Sequence, residues 1–172
     1  VYVATCDKEI KEYIESINGK VVMTSDIHER ASERTAEALL SIEKTVGYSF
    51  DIVVMIQGDE PLIDPAMIDE VIKPMINTDL KVCNLMAKLH SDEERENINH
   101  VKVITDIEGN ALYFSREPIP SKKKYSKEVP SFRQLGLIAF TREALLQFIS
   151  LETTPLEIIE SVDMNRFLEH KV

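Results

Sequence analysis

The sequence predicts an α/β protein, a doubly wound and mainly parallel sheet with an antiparallel insertion. Three observations carry that prediction. Apolar strand-like runs alternate with helical patterns through the first half of the chain, the rhythm of units whose helices cover both faces of a sheet. The run DIVVMI, residues 51–56, is apolar without alternation, as strands buried on both faces are. Beyond residue 100, three extended segments follow one another with little helix between them, the pattern of an antiparallel insertion or edge.

The elements follow in order. VYVATC is an apolar strand, and DKEIKEYIESI sets Ile10, Tyr13, Ile14 and Ile17 at helical spacing. KVVMTS is a second strand. In SERTAEALLSIEKTVG, Ser32 is placed to cap a helix whose apolar face is Ala36, Leu39, Leu40 and Ile42. DPAMIDEVIKPMI starts with Asp64 as cap and Pro65 in the first turn. LKVCNLMAKL, VKVITD, ALYFS and FRQLGLIAF are the later strands, with SKKKYSKEVPS as a polar connection. REALLQFISL and TPLEIIESVDMNRFLEH are two closing helices. Residues 1–172 form one domain, with the insertion at roughly 107–135.

At 172 residues the chain buries a core without disulfides. A net charge of −10 argues against a nucleic-acid surface and against an anionic membrane face. Cys6 and Cys83 lie in apolar runs without metal-ligand spacing, which reads as core thiols in a reducing compartment. No apolar run approaches the roughly 20 residues of a membrane helix, and a cytoplasmic protein is expected. His28, His90, His100 and His170 form no HxxxH pair, and neither GxGxxG nor a Walker loop is present.

Four clusters carry chemistry. QGDEPLIDP brings Gln57, Gly58, Asp59 and Glu60 to the end of a buried strand, where open α/β sheets bind ligands. A carboxylate there can hold Mg²⁺ together with substrate phosphates; the alternative is a polar turn facing water. In SDIHERASERTAEAL, Arg30, Ser32 and Arg34 can meet an anion at a helix N-terminus, or Ser32 can simply cap while Arg34 is solvated. In ALYFSREPIPS, Arg116 precedes two prolines that stiffen the chain, and a guanidinium so held suits a carboxylate; an ordinary surface arginine is the other reading. Thr154, Pro155 and Glu157 spell a capping box, a role that needs no ligand.

In series, VATCD, VVMTS, SERTAEA, QGDEPLI, VKVITDIEGNALYFSREPIP, GLIAF and PLEIIES resemble the 3-deoxy-manno-octulosonate cytidylyltransferases, or CMP-KDO synthetases. The resemblance implies a Rossmann-like nucleotidyltransferase that joins CTP to KDO, or to a related 3-deoxy acidic sugar, releasing pyrophosphate. It implies Mg²⁺, a homodimer whose contact includes the insertion, and a role in lipopolysaccharide biosynthesis. It also assigns roles: Asp59 as metal ligand, Asp59 and Arg116 as catalytic residues, and Ser32, Arg34, Gln57 and Asp59 at CTP. Gln57, Arg116, Gln134 and Glu157 fall at the sugar.

Departures from the family pattern lie on the sugar side. Gln134 stands where the family has a sugar-contacting His, Ile138 where it has Tyr, and Ile158 where Gln is common beside the glutamate. The expectation is a related acidic sugar, such as an amino-substituted KDO, or weaker use of KDO itself. The family's basic triphosphate loop would precede Val1, and its second metal-binding aspartate would follow Val172. Two readings therefore stand: most of a working cytidylyltransferase, or a non-catalytic sugar- or nucleotide-binding remnant.

Overall fold

The computed structural model describes every residue except Ser126, so that part of the SKKKYSKEVPS connection lies outside the described residues. β1 (Val3–Thr5), α1 (Lys8–Ser16) and β2 (Val21–Met23) come first, with the two strands paired in parallel. Asp7 caps α1 through its side chain. The stripe expected on α1 stays largely open, with Ile10, Tyr13 and Ile17 exposed. α2 (Ala31–Val46) ends at Gly47, which adopts the left-handed conformation (φ 81°) that glycine takes without steric penalty.

β3 (Ile52–Ile56), α3 (Pro65–Ile72), β4 (Val82–Lys88), α4 (Asp92–Glu96), β5 (Lys102–Thr105) and β6 (Ala111–Ser115) follow. β7 (Phe132–Thr141), α5 (Arg142–Ser150), α6 (Pro155–Glu160) and α7 (Met164–His170) complete the order. The ten-residue β7 is the spine of a five-stranded sheet. β3 and β4 pair with its same C-terminal residues from opposite sides, each antiparallel to it and hence parallel to one another. β5 pairs with the N-terminal end of β7 on the β3 side and carries β6 beyond it.

The α/β class and the antiparallel β5–β6 part match the expectation, but the mainly parallel sheet does not: every pairing in the large sheet is antiparallel, and only β1–β2 is parallel. The physical reason lies in β7. An unbroken apolar run such as DIVVMI reports that both faces are covered, not which way the neighbour runs. Both faces are indeed covered. Ile138 and Phe140 pack toward α2, α5 and α7 with Leu39, Phe148 and Phe167, while Leu137 and Ala139 pack toward α3 with Val71.

Three smaller expectations change. Ser32 does not cap α2, which has Arg30 at its cap position without a side-chain bond. The last helix is broken in two at Ser161, a non-glycine residue with φ of 52°. Cys6 is exposed and Cys83 half-buried, so neither is a fully buried core thiol. No helix among the described residues is long and apolar enough to cross a membrane.

Candidate active site

The site arises where two strands run out on the same edge of β7. β3 pairs as far as Leu137, and β5 begins its pairing at Arg133. Residues 134–136 lie between them, where two isolated backbone bonds replace the ladder on this edge: Gln57 N–H donates to Gly136 O (2.8 Å), and Gln134 N–H to Val101 O (2.8 Å). A cavity of about 530 Å³ opens at this gap, lined by Gln57, Asp59, Glu60, Arg116, Gln134 and Asp163 among others. It sits at the carboxyl end of β3, the place that open sheets reserve for ligands.

The two carboxylates of QGDEP divide their work. Glu60 is tied down: its Oε1 accepts from Gly136 N–H at 2.9 Å, with Arg133 Nη1 at 3.9 Å. Asp59 is exposed and has no hydrogen-bond or ion-pair partner among the described residues. Glu60 therefore builds the turn, and Asp59 is left to meet a ligand. A Cβ on Gly58 would meet nothing within 4 Å, so the backbone there is open to approach.

Gly136 is required for the opposite reason. A Cβ there would come within 2.9 Å of Gln57 Cβ and Oε1 and 3.0 Å of Glu60 Cγ. Gly136→Ala must push Gln57 and Glu60 aside, and a displacement of that kind inside a site is costly to rate. We expect turnover to fall by about a hundredfold, with a change in melting temperature of only a few degrees. Steady-state kinetics beside thermal melting check it; unchanged turnover would show that the Gln57–Glu60 geometry is unimportant.

Arg116 leaves β6 into a cage of carbonyl oxygens. Its Nε donates to Glu160 O (2.7 Å), Nη1 to Ile98 O (2.9 Å) and Nη2 to Ser161 O (3.2 Å), while its backbone N–H donates to Glu160 Oε2 (2.8 Å). A guanidinium has five donors, so one N–H on each terminal nitrogen remains for a ligand. Glu160 underpins the cage. Burial pushes its carboxyl up, but bonds from Tyr113, the Arg116 N–H and Ser115, with the Arg116 charge, outweigh burial and hold it below the usual carboxylate range.

Three residues expected at the site have no face on the cavity. Ser32 is wholly buried and donates to Asp163 Oδ2 at 2.5 Å. Arg34 is turned to the end of β2, donating to Thr24 Oγ1 (2.5 Å) and Ser25 O (3.0 Å). Glu157 is also wholly buried, in a two-pronged pair with Arg166 whose Nε and Nη2 each reach it at 2.6 Å. Its capping box with Thr154 is present, Thr154 N–H donating to Glu157 Oε2 (3.4 Å), although Thr154 Oγ1 makes no close hydrogen bond. Of the three sugar-side departures, only Gln134 lines the cavity: Ile138 is in the core and Ile158 is exposed.

Sequence reasoning missed Glu160, Asp163 and the linking role of Arg30. Arg30 Nη1 donates to Ser161 Oγ (3.1 Å), and its Nε lies 3.5 Å from Glu157. Ser161 is thus gripped by Arg30 through its hydroxyl and by Arg116 through its carbonyl, joining the α2 entry to the arginine cage. Asp163 faces the cavity, and burial pushes its carboxyl above the ordinary range despite the Ser32 hydroxyl and Arg30. The sole signal in the sequence was the acidic spacing of LEIIESVD, which cannot say which carboxylate turns inward.

An exposed carboxylate at a strand end fits Mg²⁺, an ion that takes one or two carboxylates plus phosphate oxygens and water. Asp59 has that exposure and freedom.

Comparison with known proteins gives the same picture. The family model described as cytidylyltransferase matches residues 1–172. A 3-deoxy-manno-octulosonate cytidylyltransferase of Geobacter metallireducens is 37% identical, over 99% of this chain and 69% of that protein. The enzyme of the same description from Chlorobium phaeobacteroides is 41% identical, over 99% of this chain and 68% of its own length. A solved structure of CMP:2-keto-3-deoxy-manno-octonic acid synthetase complexed with CTP superposes with a TM-score of 0.86 at 29% identity, covering all of this chain and 68% of that one. The fold is that of a nucleotidyltransferase. The chain belongs to the cytidylyltransferase family, in the branch of the 3-deoxy-manno-octulosonate cytidylyltransferases.

Proposed function

We propose that this protein is a CTP-dependent cytidylyltransferase that activates KDO, giving CMP-KDO and pyrophosphate for lipopolysaccharide biosynthesis. The observation that carries the reading is the cavity at the end of β3, which holds a free carboxylate, Asp59, and a caged guanidinium, Arg116, together. An acidic sugar and a nucleotide triphosphate need both signs of charge. The anomeric hydroxyl attacks the α-phosphorus in line with the departing pyrophosphate, and the protein contributes position and electrostatics rather than a nucleophile.

Arg116 takes the sugar carboxylate with its two remaining terminal N–H groups, and the carbonyl cage fixes the direction of that fork. Gln57 and Gln134 line the cavity, Gln57 between nucleotide and sugar and Gln134 against the sugar alone. Asp59 is the residue that would hold Mg²⁺, which supplies charge stabilisation on the phosphate oxygens when bound. Ser32 and Arg34 act on CTP at one remove, by fixing the α2 entry through Asp163 and the end of β2. The homodimer is supported by the open edge of β6, with Ile107 and Leu112 exposed beside it; we place the protein in the cytoplasm, where CTP is made available.

Pyrophosphate release tests the reading. With CTP, Mg²⁺ and KDO, release should depend on the sugar; release without KDO, or none with it, would refute the proposal. Arg116→Lys keeps the charge and loses the fork and its cage bonds. The KM for sugar should rise roughly tenfold to a hundredfold, on the scale of a lost charged hydrogen bond, while that for CTP changes little. Equal effects on both substrates would make Arg116 a structural residue.

A further inference from the structure

β4 and β7 fall out of step beside the cavity. Asn84 pairs with Ile138 and Met86 with Gln134, so one intervening residue of β4 faces three of β7. Such a bulge releases backbone carbonyls from the ladder and re-aims side chains, and bulges gather next to active sites. Here the Asn84 side chain answers the released carbonyls: its Nδ2 donates to Leu135 O (2.8 Å), Leu137 O (3.1 Å) and Leu85 O (3.1 Å). Three carbonyl acceptors fix which end of this amide is nitrogen, because an oxygen could bond to none of them.

The consequence passes to Gln134. With Asn84 Oδ1 fixed as an acceptor, the group against it must be a donor, and Gln134 Nε2 lies 2.6 Å away. The amide of Gln134 is thereby committed nitrogen-inward. Its Oε1 has no partner among the described residues, and it is absent from the buried atoms lacking one, which means it is open to solvent. Gln134 lines the cavity.

We propose that Asn84 is a positioning residue that holds the Gln134 amide oxygen toward the sugar, so that the site selects a hydrogen-bond donor, a hydroxyl or an ammonium, over a group that can only accept. The selection has two parts. Gln134 makes the contact, and Asn84 sets its polarity through the bulge. A donor leaves no polar atom unpaired, whereas an acceptor-only group faces the amide oxygen with nothing to share. Discrimination on this ground is larger than that from size alone.

The proposal rests on the functional reading above, and the test separates the two. The substrates are KDO analogues in which one hydroxyl at a time is replaced by an amino group, a donor when protonated, or by fluorine, which only accepts. At one position the amino analogue should keep most of the parent's kcat/KM, while the fluoro analogue loses roughly tenfold to a hundredfold, the scale of one unpaired buried group. Gln134→Leu should erase that difference with the KM for CTP unchanged. Asn84→Ala should shrink the amino-to-fluoro ratio several-fold, because a released amide can turn its nitrogen outward.

No position that prefers amino to fluoro would overturn the proposal while leaving the cytidylyltransferase reading intact. So would an Asn84→Ala protein that lowers both analogues by one factor, the mark of a merely structural residue. If Asn84→Ala fails to fold, the Gln134→Leu ratio decides alone: preserved discrimination overturns the proposal, and erased discrimination sustains it. No pyrophosphate release with any sugar would overturn the functional reading and this proposal together.

Discussion

Asp59→Asn is expected to lower turnover by roughly a hundredfold to a thousandfold, the scale on which a group aimed at developing charge acts, while leaving the fold intact. Asp59 is exposed and makes no hydrogen bond or ion pair among the described residues, so its replacement breaks no polar contact that holds the domain together. The amide keeps the shape and loses the charge that would hold Mg²⁺ against the phosphate oxygens. Glu60→Gln offers the control on the neighbouring position. There an amide oxygen still accepts from Gly136 N–H and only the charge on that bond is lost, so the loop loosens slightly without the site losing a metal ligand. Turnover at saturating Mg²⁺ and thermal melting, measured side by side, distinguish these results. An Asn variant that keeps most of its activity contradicts the assignment of Asp59.

The second large effect falls on stability. Glu157→Leu should cost about 3 kcal/mol, because it strips the buried Arg166 of both its short bonds and leaves only the 3.4 Å contact to Glu33 for its charge. Arg166 is nearly inaccessible, stacks over the Phe148 ring at 4.1 Å, and has both its paired nitrogens at 2.6 Å from Glu157. Such a cost is a large share of the ~5–15 kcal/mol that separates folded from unfolded domains. Urea unfolding measures it. A Glu157→Gln protein that unfolds normally but shows a raised KM for sugar would reverse the assignment, returning Glu157 to the sugar site.

That contrast shows where the sequence was informative. Gln57, Asp59 and Arg116 were singled out by their place at strand ends, and the cavity gathers all three, because strand ends are set by the local apolar run. Glu157 could not be read in the same way. Whether a helical carboxylate faces a ligand or an arginine depends on Arg166, nine residues later, beyond a left-handed residue at Ser161 that no Gly or Asn announces. Ser32 misled for a related reason: a hydroxyl at a helix entry suits a cap, and only the approach of Asp163 from the far end of the chain diverts it. The sheet failed on long-range pairing. DIVVMI carries no mark that its neighbour, FRQLGLIAF, arrives in the opposite direction. Asn84 was invisible altogether, since a bulge is a property of two strands and one sequence run shows only its own.

The central claim is that this cavity sets a sugar hydroxyl on the α-phosphorus of CTP. The most direct measurement is the mass of the nucleotide sugar formed from KDO carrying heavy oxygen at its anomeric hydroxyl. Attack by that hydroxyl on phosphorus leaves its oxygen as the bridge, so the CMP-KDO formed should retain the label in full, with unlabelled pyrophosphate. An unlabelled nucleotide sugar, its heavy oxygen lost to water, would mean that a phosphate oxygen had attacked the sugar carbon, and the account would be contradicted.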